Sequence, residues 1–370
     1  MIIRTTLLAR AIVTATSTAF SAAAQMQTIV PDPVPGARLA TVEHIKIRGA
    51  ALEGNLEGEA VDREVIVFLP PSYNTDKHRR YPVAYALHLY SIGAEQWSHE
   101  IHVPQTIEGG LAQGSKEMIV VLPDSKTIYN GSMYSSSATT GDSENYMPDD
   151  VVAYVDSNYR TIPERASRGL TGHSMGGYGA SSIGMKHSDV FGALYIMSRR
   201  CISPMGGGGP CPSDRMKEMA IANEEKFADA KSPADLAAQS QGFGAAQNAT
   251  AAAWAPNPKN PPLYFDLPTK DGALVPEIQA KFIANAPLIF VHQHIGNIRQ
   301  YRAIPMDVGD QDGLRFDATK QHGILDNYGI ANSFEIYSGT YASAVADRFQ
   351  NHMMPFFSKN LCFTAGCKCL

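Results

Sequence analysis

The sequence predicts an α/β protein with a mainly parallel central sheet and helices on both faces. Two short, continuous apolar runs, VAYAL at 83–87 and MIVVL at 118–122, have the length and composition of strands buried on both faces. Stretches with helical spacing alternate with such runs along most of the chain. This alternation is typical of a parallel sheet that helices cover.

Further elements are predicted on both sides of these two runs. The first strand is EVIVFL at 64–69, which stops at Pro70-Pro71. The clearest helix is 149–159, where three valines and Tyr159 fall on one side and two aspartates begin the first turn. The remaining strands are expected at 169–171, 192–197, 303–308 and 333–337, and the remaining helices at 177–186, 318–327 and 342–359.

Several segments stand apart from this alternation. Residues 1–24 have the basic start, the short apolar run and the small residues before a cleavage site that mark a secretory signal peptide. Residues 25–41 form an N-terminal extension, 42–361 the α/β domain and 362–370 a cysteine-rich tail. From 201 to about 287 a glycine run, Ala-rich helical sequence and Pro-rich loops interrupt the domain. We interpret this insertion as a lid over a substrate or, alternatively, as packing without substrate contact.

Composition and charge limit the possible partners. The 370 residues carry a formal net charge of −5 and no long run of Lys and Arg. This argues against nucleic-acid binding, because phosphate-binding proteins usually present a basic patch. The apolar run near the N-terminus is too short to span a bilayer, and no later stretch reaches the length of a membrane span. The expected partner is a small molecule, and the oligomeric state is left open.

The motif that carries chemistry is Gly172-His173-Ser174-Met175-Gly176. It follows the predicted strand 169–171 and precedes a small-residue helix, so Ser174 lies at a tight strand-to-helix turn. Glycine is needed two residues before and two residues after the serine, because a Cβ there would collide with neighbouring backbone. The turn presents the Ser174 hydroxyl as a nucleophile, and the Met175 amide can bind the oxyanion that forms on attack.

Around this motif the sequence resembles the esterase D family of serine esterases. The resemblance is carried by GHSMGGYGA at 172–180, YPV at 81–83 leading to His88, IVVLPD at 119–124 and FEIY at 334–337, and it covers roughly 42–361. The family contains S-formylglutathione hydrolases, feruloyl and acetyl xylan esterases, enterochelin esterases and mycolyltransferases. The resemblance implies the α/β-hydrolase fold and a small-molecule ester substrate, with no cofactor and no metal.

The family resemblance also implies an acidic residue after a late strand, because the chain order in this fold is serine, acid, histidine. Strand 303–308 leads into GDQDG at 309–313, where Asp312 matches the position of the acid. Asp310 in the same loop is the alternative. A structural role for Asp312, as the cap of the following helix, is also left open.

The histidine of the family is missing from its place. The family has Gly-x-His in the loop after the last strand, and this chain has Gly339-Thr340-Tyr341 there. His322 and His352 are the only histidines after Asp312, and both are predicted within helices, where neither is placed to reach Ser174. Tyr341 therefore occupies the position of the catalytic histidine.

The loop expected to complete the oxyanion hole differs from the family as well. The family has His-Gly before the residue that donates its amide, whereas this chain has His88-Leu89-Tyr90. Leucine cannot adopt the φ > 0 conformations that glycine allows at low cost. We therefore expect a reshaped loop around the Tyr90 amide.

These residues predict a carboxylic-ester hydrolase that forms an acyl-enzyme on Ser174. Tyrosine, with an ordinary pKa near 10, is a poor base at neutral pH, yet the oxyanion hole and substrate binding alone retain some catalysis. Two alternatives remain: a weakly active or non-catalytic binding protein that keeps the ester pocket, and an acyltransferase that uses an acceptor other than water.

The five cysteines fit an oxidising compartment. Cys201 and Cys211 flank the glycine run, and Cys362, Cys367 and Cys369 lie close to the C-terminus. We expect a Cys201–Cys211 bridge and one C-terminal bridge, with one thiol left over. Zinc bound by the tail is the alternative. The histidine pairs at 99 and 102 and at 292 and 294 lack the spacing or the third ligand of a metal site.

The signal peptide predicts a periplasmic or extracellular protein. Cleavage after Ala24 would make Gln25 the first residue of the mature chain. Mass spectrometry of the N-terminal peptide of exported protein should therefore find Gln25, or a residue close to it, first. Protein that retains Met1 in a cytoplasmic fraction would contradict this localisation.

Overall fold

One eight-stranded sheet organises the chain. The structure, a computed structural model, describes residues 26–200 and 214–367. The strands are β1 (Thr41–Arg48), β2 (Asp62–Leu69), β3 (Val83–Leu87), β4 (Ile119–Pro123), β5 (Arg168–His173), β6 (Ala193–Met197), β7 (Pro305–Gly309) and β8 (Ser333–Tyr337). Their order across the sheet is β1-β2-β4-β3-β5-β6-β7-β8. Strand β2 is antiparallel to both neighbours, and from β4 to β8 every pair is parallel, which confirms the predicted mainly parallel sheet.

Helices lie on both faces of the sheet, as predicted. Successive residues of a strand point to opposite faces, so Tyr85 and Leu87 of β3 belong to one core cluster and Ala84 and Ala86 to the other. The α-helices are α1 (Ala94–Glu100), α2 (Val103–Ala112), α3 (Ser143–Asn145), α4 (Ala153–Asn158), α5 (Met175–Lys186), α6 (Asp214–Asp229), α7 (Pro233–Gln239), α8 (Gly242–Trp254), α9 (Pro276–Ala284), α10 (Pro287–Phe290), α11 (Ile295–Ile298), α12 (Arg315–Asn327), α13 (Val345–Arg348) and α14 (Met354–Asn360).

Two elements differ from the sequence predictions. Strand β1 was not predicted as a strand, because Thr41–Arg48 mixes charged and apolar residues and leaves most of its side chains at least partly exposed at the sheet edge. The helix predicted at 149–159 begins earlier, at Ser143, because the Asp142 carboxylate accepts a hydrogen bond from the Asn145 amide at 3.0 Å and caps the first turn. The wide π-helical segment Tyr146–Val152 joins α3 to α4.

The described part of the insertion packs on the helix that follows the predicted nucleophile. Trp254, the last residue of α8, places its ring 5.5 Å from that of Tyr178 in α5 and donates a hydrogen bond from Nε1 to Ser135 Oγ at 3.0 Å. The Tyr178 hydroxyl donates to the carbonyl oxygen of Asn285 at 3.0 Å. The insertion is thus fixed to the α/β domain beside the Ser174 turn.

One of the predicted disulfides lies within the described residues. Cys362 and Cys367 are bonded to each other, which is the predicted C-terminal bridge. The predicted Cys201–Cys211 bridge, Cys369 and the predicted signal peptide at 1–24 lie outside the described residues. Within 26–200 and 214–367 no helix has both the length and the apolar character of a membrane span, and no three His, Cys, Asp or Glu side chains are placed to share a metal ion.

Candidate active site

Ser174 lies at the turn between β5 and α5, as the motif predicts. Its backbone has φ 60° and ψ −111°, a conformation that L-residues rarely adopt. Its amide donates to the Met197 carbonyl at 3.1 Å, and its carbonyl accepts from the Arg200 amide at 3.1 Å. These two bonds hold Ser174 in this conformation, because they tie it to the last residue of β6 and to the loop that follows.

The glycines on either side of Ser174 are required by close backbone approach. A Cβ on Gly172 would lie 2.2 Å from the carbonyl oxygen of Gly176. A Cβ on Gly176 would lie 1.9 Å from the carbonyl oxygen of Leu87, at the end of β3. The predicted reason for the Gly-x-Ser-x-Gly spacing is therefore confirmed. The same approach brings the start of α5 against the loop that leaves β3.

The Ser174 hydroxyl is buried beside a helix N-terminus. Its Oγ has no hydrogen-bond partner among the described residues. Met175 is the first residue of α5, where backbone amides have no intrahelical acceptor. A Cβ on Gly131 would lie 2.5 Å from Met175 Sδ and 2.9 Å from Tyr90 Cδ2. Met175 and Tyr90, the two predicted oxyanion residues, are therefore neighbours.

The loop that carries Tyr90 is held by the buried side chain of His88. The Ser125 amide donates to Nε2 at 2.9 Å, so Nε2 carries no proton and Nδ1 donates to the Leu89 carbonyl at 2.8 Å. Burial lowers the pKa of His88, which keeps the ring neutral. Leu89 does not take a positive φ, and Ser91 takes one instead, at 80°. The left-handed residue of the loop thus lies two positions beyond Leu89, and the loop is held by a neutral imidazole.

Of the two candidate acids, Asp312 is buried and Asp310 is exposed. Asp312 is 3% exposed; its Oδ1 accepts from the Leu314 amide at 2.8 Å, and its Oδ2 has no hydrogen-bond partner in the described part of the chain. Burial raises the pKa of Asp312, while the Leu314 amide and the nearby Ser198 hydroxyl lower it. Asp310 accepts a hydrogen bond from the Gly339 amide at 2.9 Å, so it joins two loops instead.

Tyr341 lies in the loop after β8, directly beside the residue that precedes Ser174. The Nε2 of His173 donates to the Tyr341 carbonyl at 3.0 Å, and the two rings are 4.7 Å apart. The loop also packs against the acid loop, because the Gln311 amide donates to the Gly339 carbonyl at 2.9 Å. The three predicted residues Ser174, Asp312 and Tyr341 thus lie on loops that contact one another.

His173 was not recognised as important from the sequence, although it lies inside the motif. It is completely buried, and burial lowers its pKa to about 4. Because a carbonyl only accepts, Nε2 holds the ring proton and donates it to the Tyr341 carbonyl. The ring therefore positions the Tyr341 loop as a neutral donor.

The two later histidines make their contacts elsewhere. His322 contacts Asn332 at 2.6 Å, and His352 contacts Arg348 at 2.8 Å. Both lie in helical segments after the acid loop, as predicted. No hydrogen bond or ion pair links either ring to Ser174 among the described residues.

The N-terminal extension fastens the other side of the Tyr341 loop. The Ile29 amide donates to the Ser343 carbonyl at 2.8 Å, and the Thr28 hydroxyl accepts from the Ala346 amide at 3.2 Å. The Ser343 hydroxyl in turn accepts from the Thr340 amide at 2.9 Å. The loop is therefore held between His173 inside and the extension outside.

The sheet, the strand-to-helix turn and the loops around it define a protein of the α/β-hydrolase fold. The chain matches the model of the family described as "Putative esterase" over residues 60–354. It belongs to this esterase family. The family resemblance inferred from the motifs at 172–180 and 119–124 is thereby confirmed.

Solved structures of similar fold include several esterases and hydrolases. A ferulic acid esterase has 22% identity over 88% of this chain and 100% of its own, with a TM-score of 0.61. The fluorophosphonate-binding serine hydrolase F of Staphylococcus aureus has 14% identity over 87% and 99%, with a TM-score of 0.57. An S-formylglutathione hydrolase from Staphylococcus aureus has 13% identity over 86% and 99%, with a TM-score of 0.54.

The buried carboxylate of Asp312 predicts a pH-dependent stability difference. Its folded pKa is raised above the unfolded value of about 3.9, so its contribution to stability falls as pH rises from that value through the folded pKa. Asp312→Asn keeps an oxygen for the Leu314 amide and removes the charge. The variant should therefore exceed wild type in free energy of unfolding at pH 7, and the difference should shrink toward pH 4.

Urea unfolding of both proteins at the two pH values measures this difference. Asp310→Asn, at the exposed carboxylate of the same loop, is the matched control for the loss of a loop carboxylate. A loss of stability in Asp312→Asn at pH 7 would contradict the assignment of Asp312 as a carboxylate whose pKa is raised by burial.

Proposed function

We propose that the chain is an exported esterase that hydrolyses carboxylic esters through an acyl-enzyme on Ser174. The observation that carries the proposal is the turn itself. Ser174 has φ 60° between β5 and α5, and its buried Oγ has no partner among the described residues. A strained residue with an unpaired hydroxyl at a helix N-terminus is suited to attack a carbonyl and to stabilise the oxyanion that forms.

The reaction needs two balanced steps. In the first, Ser174 Oγ bonds to the carbonyl carbon, the bond to the alcohol oxygen breaks, and the alcohol leaves with the proton that the serine gave up. In the second, water attacks the acyl carbon, the bond from that carbon to Ser174 Oγ breaks, and the carboxylic acid leaves while a proton from the water restores the serine hydroxyl. The amides of Met175 and Tyr90 are the proposed oxyanion donors. The side chains of these two residues are neighbours beside Gly131, which supports the assignment of both residues to one site.

Proton transfer is where this chain departs from a complete triad. Asp312 is the proposed acid, because its unpaired Oδ2 is available to orient a base. The loop position that the family gives to histidine is Tyr341, whose carbonyl contacts His173. A phenol is a weak base at neutral pH. We therefore infer slow hydrolysis that depends mainly on the oxyanion hole and on substrate binding.

Replacing the nucleophile is the direct test of the acyl-enzyme. Ser174→Ala should abolish hydrolysis of a short-chain p-nitrophenyl ester, because no other group can form the covalent intermediate. Ser182→Ala is the matched control, since Ser182 is also buried in α5 and its Oγ is also unpaired in the described structure. It should keep the wild-type rate. Unchanged turnover in Ser174→Ala, with both variants folded by circular dichroism, would remove Ser174 as the nucleophile.

Restoring a histidine should increase the rate. Tyr341→His should raise kcat/KM on activated esters at least about tenfold, because a general base contributes on the order of 10²–10⁴ when its geometry is right. Tyr341→Phe is the control that removes the phenol without supplying a base, and it should show no gain. Adding Asp312→Asn to Tyr341→His should erase most of the gain, because the new imidazole would lose the group that orients it.

The outcomes of this series separate the rival functions. If wild type is already fast and Tyr341→His changes nothing, the base lies elsewhere, and His322 and His352 are the next residues to replace. If neither wild type nor Tyr341→His turns over any ester, the chain is an esterase-like binding protein.

A further inference from the structure

A group of charged side chains lies at the base of the two loops that leave β7 and β8. Arg348, the last residue of α13, donates a hydrogen bond from Nη1 to Glu335 Oε2 at 2.8 Å, and its Nε lies 3.6 Å from Asp307 Oδ2. The Tyr195 hydroxyl donates to the same Oδ2 at 2.6 Å. The side chains of Arg348 and Asp307 are each 3% exposed. These contacts join strands β6, β7 and β8 to one helix.

Arg348 is fixed to β7 and β8 at once. In the parallel pairing of these strands Asp307 is the partner of Glu335, so both carboxylates stand on one face of the sheet and would repel each other without a cation. The guanidinium also covers the ring of Tyr337, with Cζ 4.4 Å from the ring centre. Arginine can make all three contacts because its planar group donates from several nitrogens and stacks on aromatic rings.

These contacts close the Tyr341 loop at its base. Glu335 and Tyr337 precede the loop in the chain, and Arg348 follows it at the end of α13. Residues 338–344 therefore leave and return between side chains that hold one another. A shift of either end of the loop would separate these partners.

The same loop is packed against the acid loop with no spare room. A Cβ on Gly309 would lie 2.3 Å from the carbonyl oxygen of Gly339. The Asp310 amide donates to the Tyr337 carbonyl at 2.8 Å, and the Gln311 amide donates to the Gly339 carbonyl at 2.9 Å. A displacement of β8 against β7 is therefore passed on to both loops.

Asp307 connects this group to the Ser174 turn. Its carbonyl accepts from the Ser198 amide at 2.9 Å, and the carbonyl of the preceding residue, Met197, accepts from the Ser174 amide at 3.1 Å. The strand that leads to the acid loop is thus held beside the Ser174 turn by its main chain and joined to α13 by the Asp307 side chain.

Stability alone does not explain why this ion pair is buried. Arg348 Nη2 and Asp307 Oδ1 have no hydrogen-bond partner among the described residues. Burial raises the pKa of Asp307 to about 6, and the charge of Arg348 opposes that rise. Neutral or apolar side chains of similar volume often replace a buried ion pair without loss of stability. Such side chains would lack the directed contacts between the strands and the helix.

We propose that Arg348 is a positioning residue of the ester site: it holds the Tyr341 loop against the acid loop, so that both loops keep their positions beside Ser174. The inference rests on the proposed function. The contacts of Arg348 are to the strands and not to the reacting groups, so it acts through the loops. A general base and the acid that orients it contribute only when their geometry is right.

Replacing both charges together tests the proposal without leaving a lone buried charge. Asp307→Asn with Arg348→Met keeps an acceptor for the Tyr195 hydroxyl and similar side-chain volumes, so this paired variant should stay folded by circular dichroism and urea unfolding. Native-state hydrogen exchange, read by mass spectrometry, should be at least about tenfold faster than in wild type in peptides covering 309–313 and 338–344.

Asp156→Asn with Arg168→Met is the matched control. Arg168 and Asp156 form an ion pair of 2.6 Å with side chains 13% and 14% exposed, and Arg168 begins β5, at the opposite end of that strand from Ser174. This variant should leave exchange in both loops unchanged. Wild-type exchange in the paired variant, or equal acceleration in the control, would overturn the proposal.

A second variant decides the question if the paired variant does not fold. Arg348→Lys keeps a charge beside Asp307 and loses the planar fork, so the same peptides should exchange faster than in wild type. Exchange at the wild-type rate would overturn the proposal.

Kinetics separates positioning from a merely structural role. In the paired variant, or in Arg348→Lys, the gain from Tyr341→His should fall to about threefold or less, with the loss in kcat, because a misplaced base slows the chemical step and leaves ester binding intact. A full gain, or a loss in KM alone, would overturn the proposal. So would the absence of any gain in an active enzyme with Arg348 intact, because position 341 would then contribute nothing to the reaction.

Failure of this proposal can be told apart from failure of the proposed function. If no variant hydrolyses any ester while exchange in both loops depends on Arg348, the loops are held as proposed and the acyl-enzyme falls. If esters are hydrolysed through Ser174 and neither loop exchange nor the gain from Tyr341→His depends on Arg348, the esterase stands and the positioning role falls.

Discussion

The site depends on the close backbone contact between the turn at Ser174 and the strands beside it. Gly176 lies so near the Leu87 carbonyl that a single Cβ would come within 1.9 Å of it. The amide and carbonyl of Ser174 bind the loop after β6. This contact fixes Ser174, the N-terminus of α5 and the Tyr90 loop relative to one another. A side chain at Gly172 or Gly176 would fit only if the neighbouring backbone moved.

Two buried polar atoms of the site lower the stability of the folded protein. Ser174 Oγ and Asp312 Oδ2 are buried without hydrogen-bond partners in the described structure, and an unpaired buried polar group typically costs about 1–3 kcal/mol. The surrounding loops are nevertheless tightly fastened, by His173, by Asp310 and by the N-terminal extension. Unpaired groups inside a well-held frame are expected where binding or catalysis, rather than stability, determines the residue.

The sequence predicted the parts of the fold that depend on local patterns. The run at 83–87 is a strand with these bounds, since buried apolar runs have few alternatives. The strand at 333–337 also has its predicted bounds, although its side chains are exposed or half-buried at the sheet edge. Strand β1 escaped prediction because edge strands carry charged residues. The choice between Asp312 and Asp310 and the role of His173 required the structure, because burial and hydrogen-bond partners come from residues distant in sequence.

Covalent labelling of the native protein is the most direct test of the central claim, that Ser174 is an activated serine in a site without its histidine. A fluorophosphonate reacts with a serine hydroxyl only when the site lowers the barrier to attack. After incubation and digestion, mass spectrometry should find the adduct on Ser174. Protein that is heat-denatured before the incubation should carry no adduct there. An adduct on a different serine, or none after prolonged incubation, would contradict the account.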